Sequence, residues 1–221
     1  MPISAQTVNY FNKTFKPDTT NILTPAVLTI SDGYLTVGGF NSFDNYSALF
    51  VHKIDWEGNT VWFKIVEEGN TLTGIVGGGI LEKTLDGNYI MVGVKDTIGL
   101  AGNLDIMMIK FNEYGDVIWK KTHGTSTTVE GIYHITPTQD GGYIMCGIQR
   151  SFTTSNRFYV LKTDAFGNKE WDRVLQSNKK GVGANIIEAY DGGYITAGYV
   201  VNSATLADMY IAKLNEQGFV I

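Results

Sequence analysis

The sequence predicts an all-β fold: a β-propeller of four-stranded antiparallel blades, with four repeats and a ring closed by the N-terminal strand. Three observations predict it. A tyrosine motif returns every 51 to 55 residues, and a lysine-to-tryptophan motif keeps the same period. The composition, 26 glycines and 12% aromatic residues with only 4 prolines, favours many short strands joined by tight turns.

The first motif is Tyr-(Ile/Leu)-x-x-Gly behind an Asp-Gly turn, and it predicts the second strand of each repeat. Apolar and β-favouring residues after such a turn are typical of a strand leaving a hairpin. The copies begin at Tyr34, Tyr89, Tyr143 and Tyr194. The aspartates before them (Asp32, Asp86, Asp140 and Asp191) occupy equivalent turns, whereas a catalytic pair needs unlike environments. We therefore predict that they build turns.

The second motif runs from a lysine to a tryptophan across a polar glycine turn, and it predicts the third and fourth strands. Its copies are residues 53–62, 110–119 and 162–171, and Lys213 opens another. The turns begin at Asp55, Asn112, Asp164 and Asn215. Oxygen ligands here could suggest calcium, but a side chain that bonds the backbone two residues on explains both Asp and Asn. We predict hairpin turns, blade-packing tryptophans, no metal and no cofactor.

The third unit shows the strand order of one repeat. Strands are predicted at residues 132–138, 143–149, 157–163 and 170–175, with short turns between them. Four sequential antiparallel strands in about 50 residues are typical of a propeller blade.

The two ends of the chain predict how the ring closes. Residues 10–15 align with 119–123 as an outermost strand, while residues 184–214 supply three strands that lack a fourth. Pairing these ends would remove exposed sheet edges. Residues 1–7 are interpreted as a signal-peptide remnant or disordered terminus, and 8–221 as one domain with repeats at 11–61, 62–118, 119–170 and 171–221. A longer parent protein, or a homodimer forming a larger ring, stays open.

Composition limits the partners. With 17 basic and 22 acidic residues the net charge is −5, which argues against a nucleic-acid surface. The apolar stretches are too short to insert in a membrane. The single cysteine, Cys146, excludes an intrachain disulfide and is predicted to be a buried core residue.

The motifs Asp-Gly-Gly-Tyr-Ile at 140–144 and Lys-x-Asp-x-x-Gly-Asn-x-x-Trp at 162–171 carry a family resemblance. The chain resembles the repeated propeller segments of secreted and cell-surface Bacteroidetes proteins, many of them exported by type IX secretion. The resemblance covers residues 11–221 and implies a secreted or surface location. It says little of function, because the matching residues build turns and core.

Candidate binding residues lie where the repeats differ. The loops between second and third strands vary, and aromatic or arginine side chains there offer contact area and directed hydrogen bonds. The candidates on this loop face are Phe43, Tyr46, Arg150, Phe152 and Arg157. At one register of the inner strand the units read Ala26, Ile80, His134 and Asn185. His134 and Asn185, with Glu82 and Glu188 nearby, are the candidates for an axial channel.

These patterns predict a noncatalytic binding or scaffold module for a protein or glycan partner. No catalytic residue is assigned, since the three histidines are scattered and no nucleophile or zinc motif occurs. Two alternatives stay open. One is a carbohydrate-active enzyme that uses an axial pocket, and the other is a structural spacer in a longer surface protein.

Overall fold

The computed structural model describes residues 11–15, 21–41, 47–69, 73–74, 80–96, 103–202 and 206–221. These residues contain sixteen β-strands, arranged in four antiparallel sheets. The predicted all-β blade architecture is confirmed. No helix in the described part of the chain is long and apolar enough to cross a membrane.

Each sheet is one blade, numbered here in chain order. Blade one contains β1 (Asn21–Ile30), β2 (Gly33–Asn41), β3 (Ser47–Ile54) and β4 (Thr60–Gly69). Blade two contains β5 (Thr73–Gly74), β6 (Leu81–Lys83), β7 (Tyr89–Asp96), β8 (Leu104–Phe111) and β9 (Val117–His123). Blade three contains β10 (Thr128–Pro137), β11 (Tyr143–Ser151), β12 (Arg157–Thr163) and β13 (Lys169–Leu175). Blade four contains β14 (Lys180–Glu188), β15 (Tyr194–Val201) and β16 (Ala207–Leu214).

The hairpin turns follow the predicted side-chain pattern. Asp164 Oδ1 accepts hydrogen bonds from the backbone amides of Phe166 at 2.9 Å and Asn168 at 2.8 Å. Asn215 makes the same bonds to Gln217 at 3.1 Å and Phe219 at 2.8 Å. An asparagine therefore replaces the aspartate without loss of the turn, because the amide oxygen performs the same role.

The motif lysines explain why the four Asp-Gly turns recur. Lys162 is 2% exposed, and its Nζ donates to Asp140 Oδ2 at 2.7 Å and Glu170 Oε2 at 2.9 Å. Burial raises the pKa of Asp140, but hydrogen bonds from Lys162, Thr138 and the Gly142 amide together outweigh it and hold the pKa below its usual value. The equivalent pairs are Lys53–Asp32, Lys110–Asp86 and Lys213–Asp191. These aspartates hold the second strand to the third, as their predicted structural role requires.

Tryptophans of the outer strands join each blade to the next. Trp119 on β9 lies over Gly167 of the β12–β13 turn, where a Cβ would come within 2.8 Å of the indole ring. Gly167 also has φ 75°, a conformation that other residues rarely adopt. We call this contact the Trp–Gly clamp. It recurs between Trp62 and Gly115 and between Trp171 and Gly218.

Residues 11–15 add a contact of the same kind to blade one. Phe11 lies over Gly58, and Lys13 donates to the Asn59 side chain, so Phe11 takes the position of a tryptophan. The sequence alignment of residues 10–15 with 119–123 placed Tyr10 at the tryptophan position, so the structure shifts that alignment by one residue. Residues 11–15 form no strand, and the rings of Phe11 and Phe15 pack on Tyr34 and His52.

The predicted closing pair is not formed among the described residues. There, β16 hydrogen-bonds to β15 and, through Leu214, to Val220. The face of this last strand leaves Met209 80% exposed and Ile211 61% exposed. An apolar strand face is therefore left uncovered by the rest of the described chain.

The core lies between the faces of neighbouring blades. One cluster joins blades one to three around Leu49, Met91 and Tyr143, and a second joins blades three and four around Phe158 and Leu214. Cys146 belongs to the second cluster, and burial raises the pKa of its thiol to about 12. This confirms its prediction as a core residue.

A β-bulge interrupts the inner strand of three blades, between positions 23 and 26, 132 and 134, and 183 and 185. Side chains alternate along a strand, so one extra residue reverses the faces beyond it. In blade three, Glu130 and Ile132 precede the bulge and face blade two, whereas His134 follows it and contacts Ile186 of blade four.

Candidate active site

A cavity of about 180 Å³ opens between blades two and three, and we call it the blade-three cleft. Every strand of blade three contributes polar residues to it: Glu130 on β10, Gln149 on β11, Tyr159 on β12, and both Lys169 and Asp172 on β13. Glu130 and Gln149 are cross-strand partners, so the register places them side by side. The remaining lining residues are Thr122, His123, Gly124 and Thr125.

Glu130 is a buried carboxyl group, only 2% exposed. Gln149 Nε2 donates to its Oε1 at 3.0 Å, while Oε2 is buried and has no hydrogen-bond partner. Burial raises the pKa of Glu130, and it outweighs the opposing hydrogen bonds from Thr128 and Gln149. The charges of Asp105 and Asp172 make a smaller contribution in the same direction as burial. The protonated form of this carboxyl is therefore favoured to a higher pH than in an ordinary glutamate.

Asp172 lies in a different environment. Its Oδ1 is 3.0 Å from Lys169 Nζ, and its side chain is 33% exposed. Tyr159 hydrogen-bonds to it. Burial raises the pKa of Tyr159, with a further contribution from the charges of Asp172 and Glu130, so the phenol stays protonated. The cleft thus combines a buried carboxyl whose pKa is raised with a partly exposed carboxyl that is ion-paired, and two carboxyl groups in unlike environments are what acid–base chemistry uses.

His123 forms the opposite wall of the cleft. Its Nε2 lies 2.9 Å from the Gly167 carbonyl oxygen, which fixes the ring against blade three. Burial lowers the pKa of His123, although the bond to Gly167 opposes this. A neutral imidazole is expected at pH 7, with Nε2 as the donor to the carbonyl.

We call the positions of Gln149, Tyr159 and Asp172 the cleft row. In the other blades this row is occupied by side chains of a different kind. In blade one it holds Phe40, Phe50 and Phe63, whose rings stack at centroid distances of 6.3 Å and 4.9 Å. In blade two it holds Lys95 and Lys120, which both bind Glu67 of blade one. In blade three the row includes Asp172 and lines a cavity. This difference between equivalent positions marks the cleft as a specialised site.

Two of the predicted axial residues, His134 and Glu188, lie at the junction of blades three and four. His134 Nδ1 is 3.5 Å from both Thr136 Oγ1 and the Ile186 amide. Glu188 Oε2 accepts a hydrogen bond from the Gln139 amide at 2.8 Å, so both residues join blade three to blade four. Glu82 is on β6 of blade two, where burial raises its pKa, and Asn185 is exposed on β14.

Three of the predicted loop-face residues belong to the described part of the chain. Phe43 and Tyr46 lie outside the described residues. Arg150 and Gln149 are adjacent on β11, so they point to opposite faces of blade three, and Phe152 is 55% exposed on the following turn. Arg157 is the one of the three described candidates that lines a cavity, a second one of about 220 Å³ beside the loops.

Sequence reasoning missed Glu130, Gln149, Tyr159 and Asp172. The inner strand begins at Thr128, four residues before its predicted start, so Glu130 was left outside any strand. The other three were treated as strand residues only. A repeat alignment would have revealed them, because counting from the motif residues sets Gln149, Tyr159 and Asp172 against Phe40, Phe50 and Phe63.

The chain was compared with known proteins. No protein-family model matches it, and neither does a curated protein. Solved structures do match. An endo-arabinase from Bacteroides thetaiotaomicron shares 15% identity at a TM-score of 0.49, over 87% of this chain and 75% of that chain. A GH43 endo-arabinanase from Bacillus licheniformis shares 13% identity at a TM-score of 0.42, over 87% of this chain and 74% of that one.

These findings correct the functional prediction. A noncatalytic binding or scaffold module was expected, and no catalytic residue was assigned. Both of these solved structures are named as enzymes. At these identities and TM-scores the similarity says nothing about the activity of this chain. Its own residues include two carboxyl groups in the cleft that carry no recognisable motif, the buried Glu130 and the ion-paired Asp172.

Proposed function

We propose that the protein is a carbohydrate-active enzyme that hydrolyses glycosidic bonds in the blade-three cleft. The observation that carries the proposal is Glu130, a buried carboxyl whose Oε2 has no hydrogen-bond partner and whose pKa is raised by burial, in the same cleft as Asp172, which is ion-paired with Lys169. Glycoside hydrolysis uses such a pair, one carboxyl group as an acid and one as an ionised base or nucleophile.

The roles of the residues follow from their environments. Glu130 donates its proton to the oxygen of the bond that breaks, and Gln149 orients it through the bond to Oε1. Asp172 acts on the sugar carbon, either directly or by taking a proton from the attacking water. Tyr159 and Lys169 hold Asp172 in place. The blade-three cleft lies between two blades and not on the ring axis. We therefore propose this cleft, and not an axial pocket, as the active site.

The test is release of reducing ends from a panel of soluble polysaccharides: arabinan, xylan, galactan, polygalacturonate and dextran. We expect cleavage of at least one, and Asp172→Asn should lower kcat/KM by about 10² to 10⁴-fold because the base or nucleophile is lost. Asp208→Asn is the matched control, since Asp208 is an exposed aspartate of β16 outside the cleft.

The control variant should keep wild-type activity within twofold. The proposal is wrong if the wild-type protein cleaves none of the panel, or if Asp172→Asn is as active as the control. Circular dichroism of each variant separates lost chemistry from lost fold.

We also propose that the protein works outside the cell, at the surface or secreted. Support comes from the resemblance to exported Bacteroidetes propeller segments, including type IX substrates, and from the proposed polymeric substrate, which is too large to diffuse across a membrane. Immunodetection in fractions of the source organism tests this: signal in the medium or at the surface is expected, and signal confined to the cytoplasm contradicts it.

A further inference from the structure

The cavity beside Arg157 is built by two turns that hydrogen bonds hold together. One turn follows β11 and the other follows β13. The Gly181 amide donates to the Asn156 carbonyl at 2.9 Å, and the Ser151 amide donates to Thr154 Oγ1 at 2.9 Å. Lys179 closes the second turn through its amide to the Gln176 carbonyl at 2.8 Å. The cavity walls are therefore fixed before any ligand binds.

Positive charge is concentrated in this cavity. Arg157, Lys179 and Lys180 line it, together with Thr154, Ser155, Ser177 and Asn178, and no carboxylate does. Within the described part of the chain, none of the three cations takes part in an ion pair. Most other lysines of this chain are paired with acids, and the whole chain carries −5, so an unneutralised cationic group is exceptional here.

The side chains that line this cavity favour an oxyanion as the ligand. Arginine offers a planar pair of donors and lysines offer charge, which suits carboxylate or sulfate oxygens. The hydroxyl and amide groups can bond to neighbouring sugar hydroxyls. A volume of about 220 Å³ is below the roughly 300–1,000 Å³ of pockets for drug-sized ligands, which fits one sugar unit or its charged substituent.

The cavity adjoins the blade-three cleft. Arg157 is the cross-strand partner of Gln149, which lines the cleft, and Tyr159 lies two residues further along the same face of β12. Two strand residues span about 7 Å, comparable with one sugar unit of a chain. We propose that this cavity is a subsite for an anionic sugar, so that the substrate class is an acidic polysaccharide whose carboxylate or sulfate binds Arg157, Lys179 and Lys180. The substrate part of this inference rests on the proposed hydrolysis.

Binding of acidic and neutral polymers tests the subsite without requiring activity. Affinity electrophoresis with polygalacturonate, dextran sulfate and unmodified dextran compares the wild type with Lys179→Ser/Lys180→Ser. The matched control is Lys64→Ser/Lys83→Ser, which removes the same charge on blades one and two. We expect the first double variant to bind an acidic polymer at least tenfold more weakly, the control to change less than twofold, and dextran not to be retained.

The outcomes separate this inference from the proposed function. Stronger binding to polygalacturonate than to dextran sulfate identifies a carboxylate ligand, and the opposite order identifies a sulfate ligand. Equal weakening in both double variants, or in neither, overturns the subsite. If the protein binds acidic polymers but cleaves none of the panel, the subsite stands and the proposed hydrolysis is wrong. If it cleaves only neutral polymers, and Lys179→Ser/Lys180→Ser cleaves them equally well, the hydrolysis stands and the subsite is wrong.

Discussion

Replacing Trp119 by alanine is expected to lower the free energy of unfolding by about 3–5 kcal/mol, the usual cost of removing a large packed aromatic side chain. Trp119 lies over Gly167 and packs edge-on against Tyr143 at a ring distance of 6.1 Å. Its loss would open the contact between blades two and three and expose part of the shared core. Urea unfolding followed by circular dichroism measures the change.

Trp56 provides the matched control. It is 38% exposed in the β3–β4 turn and contacts Tyr34, but it has no place in a Trp–Gly clamp. Trp56→Ala should cost no more than about 1.5 kcal/mol, in the range of ordinary single substitutions. Equal losses in the two variants would mean that the clamp contributes nothing special.

A double-mutant cycle isolates the clamp itself. Gly167→Ala alone is destabilising because of the positive φ and because its Cβ would come within 2.8 Å of the Trp119 ring and 2.9 Å of Lys121 Cγ. Only the clash with the Trp119 ring disappears once Trp119 is alanine. The double variant should therefore be more stable than the sum of the single effects predicts, and simple additivity would argue against direct contact.

Replacing Glu130 by glutamine is expected to have opposite effects on activity and on stability. Activity should fall by about 10² to 10⁴-fold, because an amide cannot donate the required proton. Stability at pH 7 should rise by about 1 kcal/mol, because burying Glu130 requires either a desolvated charge or a proton held above the ordinary glutamate pKa, and a neutral amide requires neither. For a protein of this size that corresponds to about 2–4 °C in Tm, measured by thermal unfolding.

The pH dependence gives a second readout. An acid whose folded-state pKa is raised favours the fold while it is protonated, so that contribution is lost as pH rises above about 4.3, the ordinary glutamate value. The wild type should lose this stability between that pH and the raised pKa, whereas Glu130→Gln should not. Activity should decline on the alkaline side as Glu130 ionises.

Glu113→Gln is the control for both measurements, since Glu113 is exposed in the β8–β9 turn. It should leave activity, Tm and their pH dependence unchanged. A Glu130→Gln variant that is less stable than the wild type at pH 7 would mean that the carboxylate is well satisfied, and the assignment as the acid would fail.

The fold could be predicted from the sequence because its signals are local and repeated. The turns at Asp164 and Asn215 and the strand at Arg157–Thr163 depend on neighbours within a few residues. The Trp–Gly clamp could be predicted only as packing, since Trp119 and its partner Gly167 are 48 positions apart and belong to different blades.

The site could not be predicted in the same way. Which residues share a face of β10 depends on the bulge between Ile132 and His134. Without the bulge, Glu130 and His134 would lie on one face of β10, because they are an even number of residues apart. His134 would then be a reasonable member of an axial site. With the bulge, His134 turns to blade four and Glu130 to the cleft, so the single extra residue decides which side chains meet.

The Trp–Gly clamp also bears on how such a chain changes its number of blades. Blades two and three each carry an indole on the outer strand and a glycine turn that receives the indole of the preceding blade. A gene segment encoding one blade therefore brings both halves of the contact with it. Duplication or deletion of such a segment recreates the junctions on either side, so the array can lengthen or shorten without a newly evolved interface.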